Sequence, residues 1–303
     1  MTKHEAFSLE FLEPAAGVAP QGPVFTYSTP EQTWARRTLI RVVERWSGRA
    51  RFERIYRDWQ GQRRDGGETV FTSAIRALGV RCEVSARDMA RIPAVGPVLV
   101  VANHPFGIVD GLLIGHLMST RRADVKLICH SRLCQPVEAR EVLLPIDFGS
   151  GPEARRISAE TRRRAVEWLD GGHVVIIFPG GGVATAPTPL APVAADFEWH
   201  PFVARLAMRA GVRTVAMYVH GQNSRLFQVV SHLSYPLRVA LIFRETARVL
   251  RRPVRVEIAD PVELAGMARE AVVGTLRART YAMSPTGGPA VDGVFRFPGH
   301  IRF

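Results

Sequence analysis

PVLVVANHPFGIVDG, residues 97–111, runs from a strand through a turn into the start of a helix. Its first half is a short, continuous apolar run, the pattern of a strand buried on both faces. The residues after the turn lead into a helical pattern over 109–119. Strand-to-helix turns are where open α/β sheets keep their functional groups. His104 falls in the turn, and Asp110 follows six residues later near the helix start, where the helix dipole favours a carboxylate. A carboxylate on one ring nitrogen sets the imidazole tautomer and frees the other nitrogen to take a proton from a hydroxyl or amine. Gly107 and Gly111 give the loop tight turns and room for a substrate. The alternative is structural, since a His with an Asp nearby is a common core pair.

Outward from this segment the pattern keeps alternating. Strands are predicted over 125–129, 173–178, 213–220 and 254–258, and helices over 153–169, 201–210 and most of 224–250. This order predicts an α/β fold, a sheet flanked by helices on both faces. Two further strand ends carry candidate chemistry. In VVIIFPGGGVA (174–184) a buried strand runs into Pro179, Gly180, Gly181 and Gly182. Consecutive glycines let backbone N–H groups approach an anion or an oxyanion, or they form a loop with no contacts. The Lys and Ser/Thr of a phosphate-binding P-loop are missing. In VRTVAMYVHGQNSRLF (212–227) a strand ends at His220-Gly221, followed by Asn223, Ser224 and Arg225. Arg225 suits a phosphate or carboxylate, or is a surface arginine without a partner.

Residues 1–30 read as an irregular lead-in rich in Pro, Gly and Ala. Ser28 or Thr29 is placed to cap a helix with Pro30 at its first position. Residues 31–60 read as two short basic amphipathic helices. Leu39, Ile40, Val42, Val43 and Trp46 share a face ringed by Arg36, Arg37, Arg41 and Arg45; Phe52, Ile55, Tyr56 and Trp59 repeat the pattern beyond Gly48. Such helices pack on a catalytic domain, lie on anionic lipid, or do both. The expected organisation is a lead-in with helices over 1–92, a catalytic domain over 93–282 and a Pro/Gly-rich tail over 283–303.

Composition narrows the classes. The chain has 303 residues, 47% of them hydrophobic, enough for a substantial core. No apolar run approaches the roughly 20 residues of a spanning helix. The start, MTKHEAFSLEFLEP, lacks the apolar region of a signal peptide, so a cytoplasmic protein is expected. Cys82, Cys129 and Cys134 show no CxxC spacing, so neither a disulfide framework nor a zinc site is expected. The net charge is +12, nearly all from arginine, because Lys3 and Lys126 are the only lysines. That excess suggests a membrane surface, nucleic acid or an acidic carrier, or reflects an arginine-favouring composition. No nucleic-acid motif and no G-x-S-x-G elbow is present.

The three segments, in this order and spacing, resemble the PlsC-type glycerolipid (lysophospholipid) acyltransferase family over roughly residues 95–262. NHPFGIVDG is similar to its Asn-His…Asp block, FPGGG to its Phe-Pro-Glu-Gly block and TVAMYV to its later strand. NHP-x-G-x-x-D-G and Gly-x-Asn-Ser-x-Leu-Phe also resemble a hemolysin-like bacterial branch associated with ornithine lipids. Five residues separate His104 from Asp110, as in that branch, where the wider family has four. Gly180 stands where many members carry a Glu linked to a glycerol-phosphate acceptor. The glycine offers backbone donors and empty volume, so a wider pocket mouth is expected. The phosphate-binding arginine block falls near Asp147, Phe148, Gly149, Arg155 and Arg156.

The resemblance implies direct acyl transfer in membrane lipid synthesis. The donor is an acyl thioester, acyl-CoA or acyl-ACP; no cofactor beyond this co-substrate and no metal are expected. His104 would be the base and Asp110 its orienting partner. Asn103, Gly107, Gly180, Gly181, Gly182, Asn223 and Arg225 would bind substrate, with Asn103 also shaping the turn and backbone donors at Gly180 to Gly182 meeting the oxyanion. Arg225, Arg155 or Arg156 would meet the acceptor's anionic group. The acceptor would be a lyso-lipid, and the place of action the cytoplasmic face of the inner membrane, held peripherally. The competing expectation is a non-catalytic basic protein of membrane surfaces or nucleic acid.

Overall fold

The computed structural model describes residues 26, 28, 33–62, 67–134, 136–149, 151–286 and 294–295. The expected lead-in and tail lie largely outside these residues, as do Thr29 and Pro30. The chain opens with α1 (Trp34–Trp46), α2 (Arg49–Gln62), α3 (Val70–Leu78), β1 (Arg81–Glu83) and α4 (Ala86–Ala90). The central alternation is β2 (Val98–Ala102), α5 (Ile108–Ser119), β3 (Val125–His130), β4 (Leu143–Ile146), α6 (Pro152–Asp170), β5 (Val174–Ile177), α7 (Phe202–Ala207) and β6 (Arg213–Val219). Then come α8 (Arg225–Ser231), α9 (Tyr235–Ala240), α10 (Ile242–Val249), β7 (Pro253–Ile258), β8 (Val262–Glu263) and α11 (Arg269–Tyr281).

The sheet order is β1-β7-β6-β2-β5-β3-β4, with β8 also on β6. The run β6-β2-β5-β3-β4 is parallel throughout, while β7 and β8 lie antiparallel to β6. Every residue of β2 is fully buried, as its apolar run requires. Val98, Val100 and Ala102 pack into the core beneath α2, α3 and α5. Leu99 and Val101 pack into the opposite core, beneath α6, α7 and α11. Helices therefore cover both faces. Gly115 lets α3 approach α5, since a Cβ there would lie 2.3 Å from the Phe71 ring.

Three expectations change. The first helix starts at Trp34 and is capped by Thr33, whose hydroxyl accepts the Arg36 N–H, rather than by Ser28 or Thr29. The proposed shared face of this helix splits: Ile40 is buried and Val43 half-buried, while Leu39, Val42 and Trp46 are exposed. Residue 92 is no structural boundary either. β1 pairs in parallel with β7, and Phe52, Trp59 and Phe71 belong to the same core as β2.

Candidate active site

Because β2 to β6 run in parallel, their C-terminal ends share one edge of the sheet. The loops leaving that edge surround a cavity of about 670 Å3. It reaches to both faces of the sheet. One arm runs under α2, α3 and α5 and is walled by Phe52, Trp59, Phe71, Ala74, Leu112 and Leu127. The other is lined by Ile146, Ile177, Trp199 and Phe202 and carries the polar groups of His130, Asp147, Ser158, Arg162, Glu198 and His200.

His104 lines this cavity from the turn after β2. Its Nδ1 lies 2.9 Å from Asp110 Oδ2. Asp110 is fully buried in the first turn of α5, and the same oxygen accepts the N–H groups of Phe106 and Gly107, each at 2.8 Å. These donors hold the carboxylate in place at the helix N-terminus. The imidazole approach is close but off line, so Nδ1 has no well-aligned hydrogen bond. Such contacts commonly tighten only when substrate binds. The Phe178 ring stacks on the imidazole, centroids 4.2 Å apart at 24°. The His104 backbone is held at both ends: its N–H donates to Asp196 Oδ1 at 2.9 Å, and its carbonyl accepts Ala184 N–H at 2.7 Å.

Asp196, buried, is the element of this site that the sequence did not announce. Its Oδ2 accepts the Trp199 indole N–H at 2.9 Å, and its own N–H donates to the Tyr281 hydroxyl at 2.8 Å. Burial pushes its carboxyl up to about 6, against the opposing pull of the His104 and Trp199 hydrogen bonds.

The glycines divide. Gly107, at φ +87°, caps α5 and lines the cavity. Gly180 and Gly181 also line it, whereas Gly182 does not. A Cβ on Gly182 would lie 2.7 Å from the Phe197 ring, so that glycine serves packing. Gly181 donates its N–H to the Phe178 carbonyl at 3.0 Å. The amide of Gly180 makes no such bond among the described residues. The space expected over Gly180 is not empty, because a Cβ there would stand 3.0 Å from Asp196 Cβ.

Three other expected substrate contacts are corrected. Asn103 spends its amide on β6: Nδ2 donates to Val219 O at 2.9 Å and Oδ1 accepts Val219 N–H at 2.7 Å. It extends the β2–β6 pairing beyond the strand and positions His104 from behind. Asn223 is buried away from the cavity, its side-chain amide unpartnered. Arg225 is exposed and donates to the carbonyls of Leu190 (3.2 Å) and Ala191 (2.6 Å), fastening a loop. Arg155 and Arg156 are exposed on α6 and do not line the cavity; Arg162, further along that helix, does. Asp147 and Phe148 line it as well, while Gly149 does not.

A parallel sheet with a His–Asp pair at its C-terminal edge, opening on a largely apolar cavity, places the chain among the α/β proteins that keep their functional groups at the strand ends. The chain is a member of the acyltransferase family, whose model matches residues 37–253, and the protein is an acyltransferase. Among solved structures it is similar to the 1-acyl-sn-glycerophosphate (LPA) acyltransferase PlsC from Thermotoga maritima. The two are 18% identical over 80% of this chain and 76% of that one, with a TM-score of 0.43. No curated protein matches the chain.

Proposed function

We propose that the protein transfers a fatty acyl group from an acyl thioester, carried by coenzyme A or acyl carrier protein, to a hydroxyl or amine of a lyso-lipid. The observation that carries this is His104, backed by a fully buried Asp110, at the junction of an apolar and a polar arm of one cavity. The acyl chain occupies the apolar arm, where each buried methylene contributes about 0.8 kcal/mol. His104 Nε2 takes the proton of the acceptor hydroxyl or amine, and the freed lone pair attacks the thioester carbonyl. The Gly180 N–H meets the resulting oxyanion. The carbon–sulfur bond then breaks, and the thiolate leaves with the proton held by the imidazolium. Asp110 keeps the neutral ring's proton on Nδ1 before the transfer and stabilises the imidazolium after it.

The acceptor is a lyso-lipid other than lysophosphatidate, of the kind used by the hemolysin-like, ornithine-lipid-associated branch. Position 180 supports this: a Cβ there would stand 3.0 Å from Asp196 Cβ, so the family's Glu would fit only if Asp196 gave way. Attachment to the membrane is peripheral, at the cytoplasmic face. Trp34 and Trp46 on α1 are 79% and 65% exposed, with Leu39 and Val42 also open and Arg41 and Arg45 beside them. That combination suits an anionic headgroup layer. Among the described residues no helix is long and apolar enough to cross a membrane. The test is acyl transfer by purified protein to a panel of lyso-lipids from one acyl thioester, beside lipid mass spectrometry of a deletion strain. A product with a second acyl chain, lost from the deletion strain, is expected. Lysophosphatidate as the preferred acceptor would overturn the acceptor assignment.

A further inference from the structure

The segment after β6 does not reach the cavity with Asn223 or Arg225; through α8 and α9 it fastens the loop 183–196. At the outer end of that loop Arg225 holds the Leu190 and Ala191 carbonyls, while Gln222 holds Ala194 N–H at 2.9 Å and the Pro192 carbonyl at 3.0 Å. In the middle the Gln228 amide oxygen accepts Ala186 N–H at 2.8 Å. At the inner end, where the loop meets His104, the fastener is Arg238 of α9. Its Nη1 donates to Thr185 Oγ1 (2.6 Å) and to Ser231 Oγ (2.7 Å), and its Nη2 donates to the Val183 carbonyl at 2.6 Å. Arg238 is only 5% exposed and lines no part of the cavity. Burial pulls its pKa down to about 10, which leaves it charged at neutral pH. A planar fork of donors holds several acceptors in one geometry, which the point charge of a lysine does not.

What Arg238 fixes is a clip around His104. Thr185 and Ala195 exchange two backbone hydrogen bonds, at 2.9 and 3.2 Å, and this sets residues 183–185 beside Asp196. One prong is Ala184, whose N–H donates to the His104 carbonyl. The other is Asp196, whose Oδ1 accepts the His104 N–H. Val183 also stands over the turn at Gly107, where a Cβ would lie 3.2 Å from its Cγ2. Arg238 therefore holds the two residues that flank Ala184, and neither of them touches the cavity.

We propose that Arg238 is a positioning residue: it locks the 183–185 stretch, and through it both backbone ends of His104, in the geometry from which the imidazole works. Its role in turnover rests on the acyl-transfer reading; the clip itself does not. The test compares Arg238→Met and Arg238→Lys with Arg122→Lys. Arg122 is also buried, and it holds the carbonyls of Gly96 and Gly172 before β2 and β5, at the opposite edge of the sheet. Arg238→Met should fold, because the Thr185 and Ser231 hydroxyls keep the carbonyls of Val183 (3.0 Å) and Phe227 (2.6 Å) as acceptors. With the donor and lyso-lipid that the unsubstituted protein uses fastest, its kcat should fall about 10- to 100-fold, the cost of a misplaced catalytic group, with both KM values little changed. Arg238→Lys should recover part of that loss. Arg122→Lys should lower the thermal midpoint and leave the kcat of the folded enzyme unchanged. Native-state hydrogen exchange reads the clip without turnover: relative to the amides of β2, those of His104 and Ala184 should exchange faster in Arg238→Met and not in Arg122→Lys. An unchanged kcat in folded Arg238→Met, an equal loss of kcat in Arg122→Lys, or full protection of the two amides in Arg238→Met would overturn the assignment. Faster exchange at those amides in a protein that acylates no lyso-lipid would sustain the clip and overturn the acyl-transfer reading instead.

Discussion

The two arms of the cavity differ in kind as well as in place. Under α2, α3 and α5 the wall is aromatic and aliphatic, continuous with the core that holds β2. On the α6 side it carries Arg162, Glu198, Asp147 and two histidines. An apolar wall reads length and volume, because its energy scales with buried area. A wall with partly exposed charges reads sign and spacing, because opposite charges attract and like charges repel at short range. On the proposed function, one cavity would serve a bisubstrate reaction by recognising chain and headgroup through separate physics, with His104 where the two meet.

Removing the junction of the two arms should have the largest effect. His104→Ala should lower turnover about 100- to 10,000-fold while leaving the thermal midpoint near that of the unsubstituted protein. Near-normal turnover by the folded variant would detach the chemistry from both arms.

Asp196 links the arms, since one oxygen holds the His104 backbone and the other the Trp199 indole. Its carboxyl titrates near 6 in the fold against 3.8 as its ordinary value, so the folded state holds the proton more tightly. Its stabilising contribution is fully present below about pH 3.8 and is lost as pH rises through about 6, a change on the order of 3 kcal/mol. Denaturant unfolding across pH 4 to 7 should show that decline, and Asp196→Asn should flatten it. An unchanged slope in the variant would place the titration elsewhere.

A smaller effect sharpens the contrast. Ala74 lies half-buried on α3 and lines only the apolar arm. Ala74→Phe should move the preferred donor to shorter chains, at about fourfold in kcat/KM per methylene excluded, with the acceptor KM unchanged. A change in acceptor preference without a change in chain length would mean the arms are not independent.

Much of the frame was legible in the sequence because it rests on local pattern. The apolar run at 98–102, the turn and the helix with Asp110 in its first turn each follow from short-range rules. β4 was missed because it is a four-residue strand containing Pro145, and a proline is tolerated there since β4 is an edge strand paired only with β3. The far arm was illegible for another reason. Asn223 and Arg225 follow β6 at the correct edge of the sheet, so sequence order favoured them. The chain turns away there, because Ser224 caps α8 and is itself held by Glu245. Arg162 gives no motif. It faces the cavity only through the rotation of α6, which buries Ile157, Ser158, Thr161 and Ala165 beside it. Asp196 sits in a loop without periodicity, and its place over Gly180 is set by tertiary packing alone.

The division between the arms is tested most directly by an acyl thioester carrying a diazirine at its chain terminus, bound to the purified protein, irradiated and mapped by peptide mass spectrometry. Labels are expected on α2, α3 and α5, at residues such as Phe52, Phe71 and Leu112, competed away by unlabelled donor. Labels concentrated on α6 and residues 196–200 would contradict it, placing the acyl chain in the charged arm.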